Sequence, residues 1–96
     1  MILYNVSLII EDSDHDMLLD WLKSTLRQNR YEAKFLKMLD SPHDGSTYCI
    51  QIVAQNEDMI NSFQLEILQQ LQEQIAIRHK DKAFIFDSRM QYLTLD

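Results

Sequence analysis

Residues 2–10, ILYNVSLII, alternate at period two. Side chains on a strand point to opposite faces in turn, so Ile2, Tyr4, Val6, Leu8 and Ile10 share one face and Leu3, Asn5, Ser7 and Ile9 the other. The first face is wholly apolar and has to be covered by a second layer. That requirement limits the chain to architectures with a sheet on one side and helices or another sheet on the other. The chain has 96 residues, which predicts one domain over residues 1–96. A chain of this length buries roughly two-thirds of its unfolded surface, enough for one core and little more.

The next segments supply the cover. EDSDHD after Ile10 has the chemistry of a helix start: Ser13 or Asp12 is expected to accept the free N–H groups, and the acids suit the positive end of the dipole. A helix to about Asn29 follows, with Leu18, Trp21, Leu22, Thr25 and Leu26 on one stripe. Residues 32–39, EAKFLKML, read as a second strand. The cluster DSPHDGS then combines Pro42, which fixes φ, with Gly45, which permits any φ, and predicts a turn. Residues 47–55, TYCIQIVAQ, form the third strand, antiparallel to the second across that short turn. Asn56 is placed to cap a second helix whose buried stripe is Ile60, Phe63, Ile67, Leu71 and Ile75. Its glutamines at 69–74 fall on the solvated side, and its end is expected near RHKDK, where basic residues suit the dipole. Residues 83–87, AFIFD, and 90–95, MQYLTL, complete the sheet. The order β-α-β-β-α-β predicts a ferredoxin-like α+β fold, an antiparallel sheet with two helices on one face.

In that fold the second sheet face is bare. On the third strand Tyr48, Ile50, Ile52 and Ala54 match the apolar face of the first strand. Cys49, Gln51, Val53 and Gln55 lie opposite. The bare face therefore carries Asn5, Ser7, Cys49 and Gln51 among Leu3, Ile9 and Val53, with no charged residue on either strand. A fully solvated face would carry charge. Neutral amides and a thiol among aliphatics point to a surface that is covered, most simply by a second copy of the chain in an isologous homodimer. The same amides are able to orient a small-molecule ligand. The plainer reading is that Gln51 only hydrogen-bonds Asn5 or Ser7 across the strands.

Other function classes have less support. A single Gly and a single Pro exclude Gly-rich phosphate loops. The net charge of −6 repels a phosphate backbone, so nucleic acid is not an expected partner. One Cys forms no internal disulfide and suits a reducing compartment. No signal-like or membrane-spanning apolar run is present, so a cytoplasmic location without membrane attachment is expected. Asp12, Asp14 and Asp16 resemble the opening of a calcium loop, but its sixth and twelfth positions hold Met17 and Lys23 in place of Gly and Glu. His15, His43 and His79 lack metal-ligand spacing and read as single surface histidines; no metal or cofactor is expected. Cys49 has no basic neighbour in sequence and reads as a small sheet residue. Trp21 falls on the core stripe. Asp87 and Arg89 are spaced for a surface ion pair of little energetic weight. No nucleophile–base–orienter set is recognisable.

MILYNVSLII, the Trp21–Leu22 pair and GSTYCIQIVAQ, with Thr47, Tyr48 and Gln51, together resemble a bacterial domain-of-unknown-function family, the one numbered 4286. The approach to the last strand, Lys82 to Phe86, is similar too. The resemblance implies an α+β fold like that of the dimeric α/β-barrel group, which includes small monooxygenases, haem-degrading proteins and stress-response proteins. The chain departs from the pattern in having no proline between the first helix and second strand, nor within the second helix. Fold likeness transfers no activity. The leading expectation is a homodimeric, non-catalytic interaction or small-ligand-binding module. The alternative is a cofactor-free or haem-using oxidoreductase in which Asn5, Ser7 and Gln51 orient substrate, though no histidine falls on a strand position facing them. A ligand-sensing regulatory domain is a third class, and it lacks the usual DNA-binding segment.

Overall fold

The computed structural model describes residues 1–96. β1 (Ile2–Ile10) is followed by a 3-10 turn (Asp12–Asp14) and α1 (His15–Arg27). β2 (Lys34–Lys37) and β3 (Ser46–Ala54) form the central hairpin. α2 (Glu57–Phe63) continues through a π-helical segment (Gln64–Leu68) into α3 (Gln69–Arg78), and β4 (Ala83–Gln91) closes the fold. The sheet order is β2-β3-β1-β4 and every pair is antiparallel. This is the ferredoxin-like β-α-β-β-α-β arrangement.

The period-two reading of β1 holds along its length. Tyr4, Val6, Leu8 and Ile10 are fully buried, and Tyr48, Ile50, Ile52 and Ala54 of β3 join them. Register explains why, since Tyr4 lies opposite Ile52, Val6 opposite Ile50 and Leu8 opposite Tyr48. Leu18 and Leu22 of α1 close over this face, as do Ile60 and Phe63 of α2, Ile67 and Leu68 of the π segment and Leu71 of α3. Trp21 packs against the same core.

Several elements differ from the sequence expectation. β2 is four residues long, because Glu32 takes a left-handed φ of 53° and the chain joins the sheet only at Lys34. Residues 83–91 form one continuous strand rather than two, held along its whole length by β1. The second helix carries a π segment, which widens one turn and buries the adjacent pair Ile67 and Leu68 together. Neither Ser13 nor Asp12 caps α1. Asp14 occupies the N-cap position without a side-chain cap bond, because its carboxylate is drawn to His79 at 2.7 Å. Asn56 does cap α2, accepting from the backbone N–H of Met59 at 3.1 Å.

Candidate functional site

The uncovered sheet face gathers the four residues singled out by the sequence. Asn5 lies opposite Gln51, and Ser7 opposite Cys49. Gln51 donates through Nε2 to Asn5 Oδ1 at 3.0 Å, and Asn5 donates through Nδ2 to Ser7 Oγ at 3.0 Å. Ser7 Oγ lies 3.7 Å from Cys49 Sγ, within the reach of a sulfur hydrogen bond. All four are half-buried. They form one connected polar ladder across β1 and β3. Cross-strand bonding, the plainer account of Gln51, is therefore real, and it leaves Gln51 Oε1 without a partner in the chain.

The ladder has an apolar frame, of which the sequence reading names Leu3, Ile9 and Val53 but not the β2 and β4 members. Phe86 lies opposite Ser7 and Ser88 opposite Asn5 on β4, while Leu36 and Lys34 of β2 flank Cys49 and Gln51. Phe84, Phe86 and Met90 are 49%, 60% and 47% exposed, and Val53 and Leu36 are 45% and 44% exposed. The signal for β4 is present in AFIFDSRMQ: Phe84, Phe86, Ser88 and Met90 alternate onto the same side. It is obscured when the segment is divided into two strands. Lys34 supplies the one charge beside the ladder.

At the end of this face, where β1 leaves the sheet, a cleft of about 720 Å³ opens. Ile9, Phe84 and Phe86 line its apolar side, and Glu11, Asp12 and Gly45 lie at its rim. Lys82 pairs with Glu11 at 3.3 Å.

The helix-covered side carries separate polar nodes. The Tyr4 hydroxyl donates to Asp87 Oδ2 at 2.7 Å and accepts from Gln64 Nε2 at 3.1 Å. Burial, reinforced by the Asp87 carboxylate, pushes the Tyr4 phenol up to about 12. Arg30 donates to Glu66 at 2.9 Å, and Tyr31 donates to the same carboxylate. The Arg30 and Tyr31 hydrogen bonds hold Glu66 below the usual carboxylate range, while burial raises Tyr31. His15 joins Tyr48 at 2.6 Å and Asp16 at 2.8 Å. His79 is 2% exposed, so the expectation of surface histidines fails there: the core closes over it and Asp14 holds its Nδ1. The expected Asp87–Arg89 pair is also absent within the chain, since Asp87 serves Tyr4 and Arg89 reaches Glu57 at 3.5 Å. None of the three histidines bonds a ladder residue.

Tyr4 sets an alkaline prediction. A phenol with a raised folded-state value keeps its proton after the unfolded chain has lost its own, near pH 10. Its contribution is thus whole below pH 10 and is lost as pH rises toward 12. Denaturant titration across that window should show stability falling by roughly 2–3 kcal/mol for this group. Tyr4→Phe should flatten that part of the profile; an unchanged slope would remove Tyr4 as its cause.

The sequence profile of the domain of unknown function DUF4286 matches residues 1–93. The chain belongs to the DUF4286 family. No curated protein matches it by sequence. Solved structures similar to this DUF4286 chain include a dabb family protein with a ferredoxin-like fold from Mesorhizobium loti, with TM-score 0.60 and 8% identity over 98% of this chain and 100% of that one. A candidate antibiotic biosynthesis monooxygenase from Deinococcus radiodurans gives TM-score 0.59 and 16% identity over 100% and 96% of the two chains. A de novo designed protein, Foldit4, reaches TM-score 0.60 at 5% identity, covering 96% and 97%. These likenesses show the fold, and a fold by itself transfers no activity. No helix of the chain is long and apolar enough to cross a membrane.

Proposed function

We propose that residues 1–96 form a single domain that acts as a homodimeric, non-catalytic binding module in the cytoplasm, with the open sheet face as its working surface. One observation carries this reading: a neutral ladder of Asn5, Ser7, Cys49 and Gln51 framed by half-exposed Phe84, Phe86, Met90, Val53 and Leu36. Half-exposed apolar side chains grouped around a neutral ladder on a small chain support a surface that meets another molecule. A second copy fits it best, because the face is nearly charge-free and an isologous contact places like residues together without repulsion. A small polar ligand would take the spare Gln51 Oε1 and the remaining amide hydrogens as its orienting groups. The net charge of −6 argues against a nucleic-acid partner. Oxidoreductase chemistry would need a proton-handling group set against the ladder; His15 is bonded to Tyr48 and His79 to Asp14, and His43 lines the cleft at the end of the face without bonding a ladder residue.

The test is native mass spectrometry of the untagged protein with two variants. Val53→Lys puts an ammonium into the apolar frame beside Leu3, on β3 rather than β4, and should weaken self-association by roughly 100-fold or more. Gln51→Ala should leave the fold and subunit number intact while losing any co-purifying small molecule. If Val53→Lys leaves association unchanged, the face is not the interface. If Gln51→Ala weakens association and no small molecule is bound by either form, the ladder is an interface element alone.

A further inference from the structure

β4 is an edge strand: the sheet order leaves it with β1 on one side and nothing on the other. Its alternate residues are distinguishable. Tyr92 N–H reaches Met1 O at 3.1 Å and Lys82 O accepts from Glu11 N at 2.9 Å, so even-numbered backbone groups point toward β1. The N–H and C=O groups of Ala83, Ile85, Asp87, Arg89 and Gln91 therefore point to the open edge. An edge this long is usually protected by proline, a bulge or charged side chains, lysine above all. β4 has no proline, bulge or lysine; its only charged residues are Asp87 and Arg89, of opposite sign and placed one on each side of Ser88.

Symmetry limits how such an edge meets its own copy. A two-fold axis normal to the sheet keeps each side chain on its own face, so residues facing one another must share parity. A register centred on Asp87 sets Asp87 against Asp87. One centred on Arg89 sets Arg89 against Arg89. Like charges directly opposite are destabilising. A register centred on Phe86 leaves both charges facing aliphatic residues. The register centred on Ser88 sets Asp87 against Arg89 twice. It also sets Phe86 against Met90 and Phe84 against Tyr92, and so covers side chains that are 60%, 47%, 49% and 55% exposed. Leu65, 70% exposed, lines a groove that also includes Asp87, close to that axis on the helix side.

We propose that β4 pairs antiparallel with β4 of a second copy about a two-fold axis through Ser88, joining two four-stranded sheets into one of eight. Asp87 pairs with the partner's Arg89, and odd-numbered residues exchange backbone hydrogen bonds. Asp87 keeps the Tyr4 hydroxyl on its other side, since a carboxylate accepts several bonds. This contact is distinct from the open-face interface, and the two together would build a tetramer from crossed two-fold axes.

Charge reversal tests it. Asp87→Arg and Arg89→Asp should each halve the subunit number seen for the parent chain in analytical ultracentrifugation. An equimolar mixture of the two should restore it, because the edge that carries two basic side chains in one variant then faces the edge that carries two acidic ones in the other. If Asp87→Arg fails to fold for want of the Tyr4 acceptor, crosslinking decides. In a Cys49→Ser background, Ser88→Cys should form a disulfide-linked dimer on mild oxidation, since a non-hydrogen-bonded cross-strand pair brings Cα atoms to about 4.5 Å. Phe86→Cys should not, because its two copies would lie about 13 Å apart along the strands. Unchanged assembly in both charge variants, or equal crosslinking at 86 and 88, overturns the pairing. Val53→Lys separates the two ideas: halving by Val53→Lys alone leaves only the face contact and rejects the edge, while halving by charge reversal alone leaves only the edge.

Discussion

Phe63→Ala is expected to lower the unfolding free energy by about 3–5 kcal/mol. Phe63 is 1% exposed at the last position of α2. Its ring meets Tyr4 edge-on at 6.0 Å and Tyr31 edge-on at 5.2 Å. Truncation removes buried aromatic area and leaves a cavity between two tyrosines, each anchored by its own hydroxyl: Tyr4 to Asp87 and Gln64, Tyr31 to Glu66. Anchored rings cannot slide into the gap without breaking those bonds, so the cavity term stays near the upper end of its range. Both bonding nodes draw on the π segment, which holds Gln64 and Glu66. Urea unfolding measures the loss, with Phe84→Ala as the contrast. Phe84 is half-exposed in the monomer and its truncation should cost under about 1 kcal/mol there. A loss at Phe63 no larger than at Phe84 would mean that the helix collapses onto the gap, and that the tyrosine anchors do not hold the core open.

The parts of this fold that were legible in the sequence are those in which one local rule decides the outcome. β1 shows strict alternation, and alternation alone fixes both of its faces. Asn56 before Glu57 and Asp58 announces a helix start, and Asn56 makes the cap. The pairing of Asn5 with Gln51 and of Ser7 with Cys49 follows once two strands share a register set by their apolar faces. What was not legible depended on partners distant in sequence. Asp14 has the residue type and position of a cap, yet it serves His79, sixty-five residues away. The carboxylate is held below its usual range by Ser13 first and by His79 second, so the competition is won by groups that a local reading cannot weigh together. Asp87 and Arg89 stand two apart on one strand, the spacing of partners, but residues so placed sit side by side with their charged groups free to turn elsewhere. Tyr4 and Glu57 claim them. The frame of the open face escapes a local reading for a different reason. Phe84 and Phe86 are assigned to no face from the sequence; aromatic type alone would send them to the core, whereas their parity relative to Ala83 and Ile85 sends them to the uncovered side. Residue type argues for burial, strand geometry decides against it, and both aromatics are left exposed on the open face.

Gly45→Ala is expected to cost roughly 3–4 kcal/mol, combining left-handed strain with a steric clash. Gly45 has φ +82°, and a Cβ placed on it would stand 2.3 Å from the carbonyl oxygen of Ile10 and 3.1 Å from its carbon. The obstacle is backbone, and it is the end of β1 where Ile10 lies opposite Ser46. Relief of the clash therefore requires either the turn to lift or the last β1–β3 pair to open, and Ile10 is fully buried. Gly45→Asn separates the two contributions. Asparagine tolerates a left-handed backbone, so at an ordinary turn it would recover much of the loss. Here it carries the same Cβ and should recover little. The local consequence is as informative as the global one, because Gly45 also lines the cleft at the end of the open face with Ile9 and Phe84. A lifted turn would widen that cleft and weaken hydrogen-exchange protection at Ile10 and Ser46 before the rest of the sheet. Urea unfolding together with exchange at those two amides gives the answer. A cost under about 1 kcal/mol, or a recovery by asparagine, would show that the turn moves freely and that the close approach of Gly45 to Ile10 does not fix the rim of the cleft.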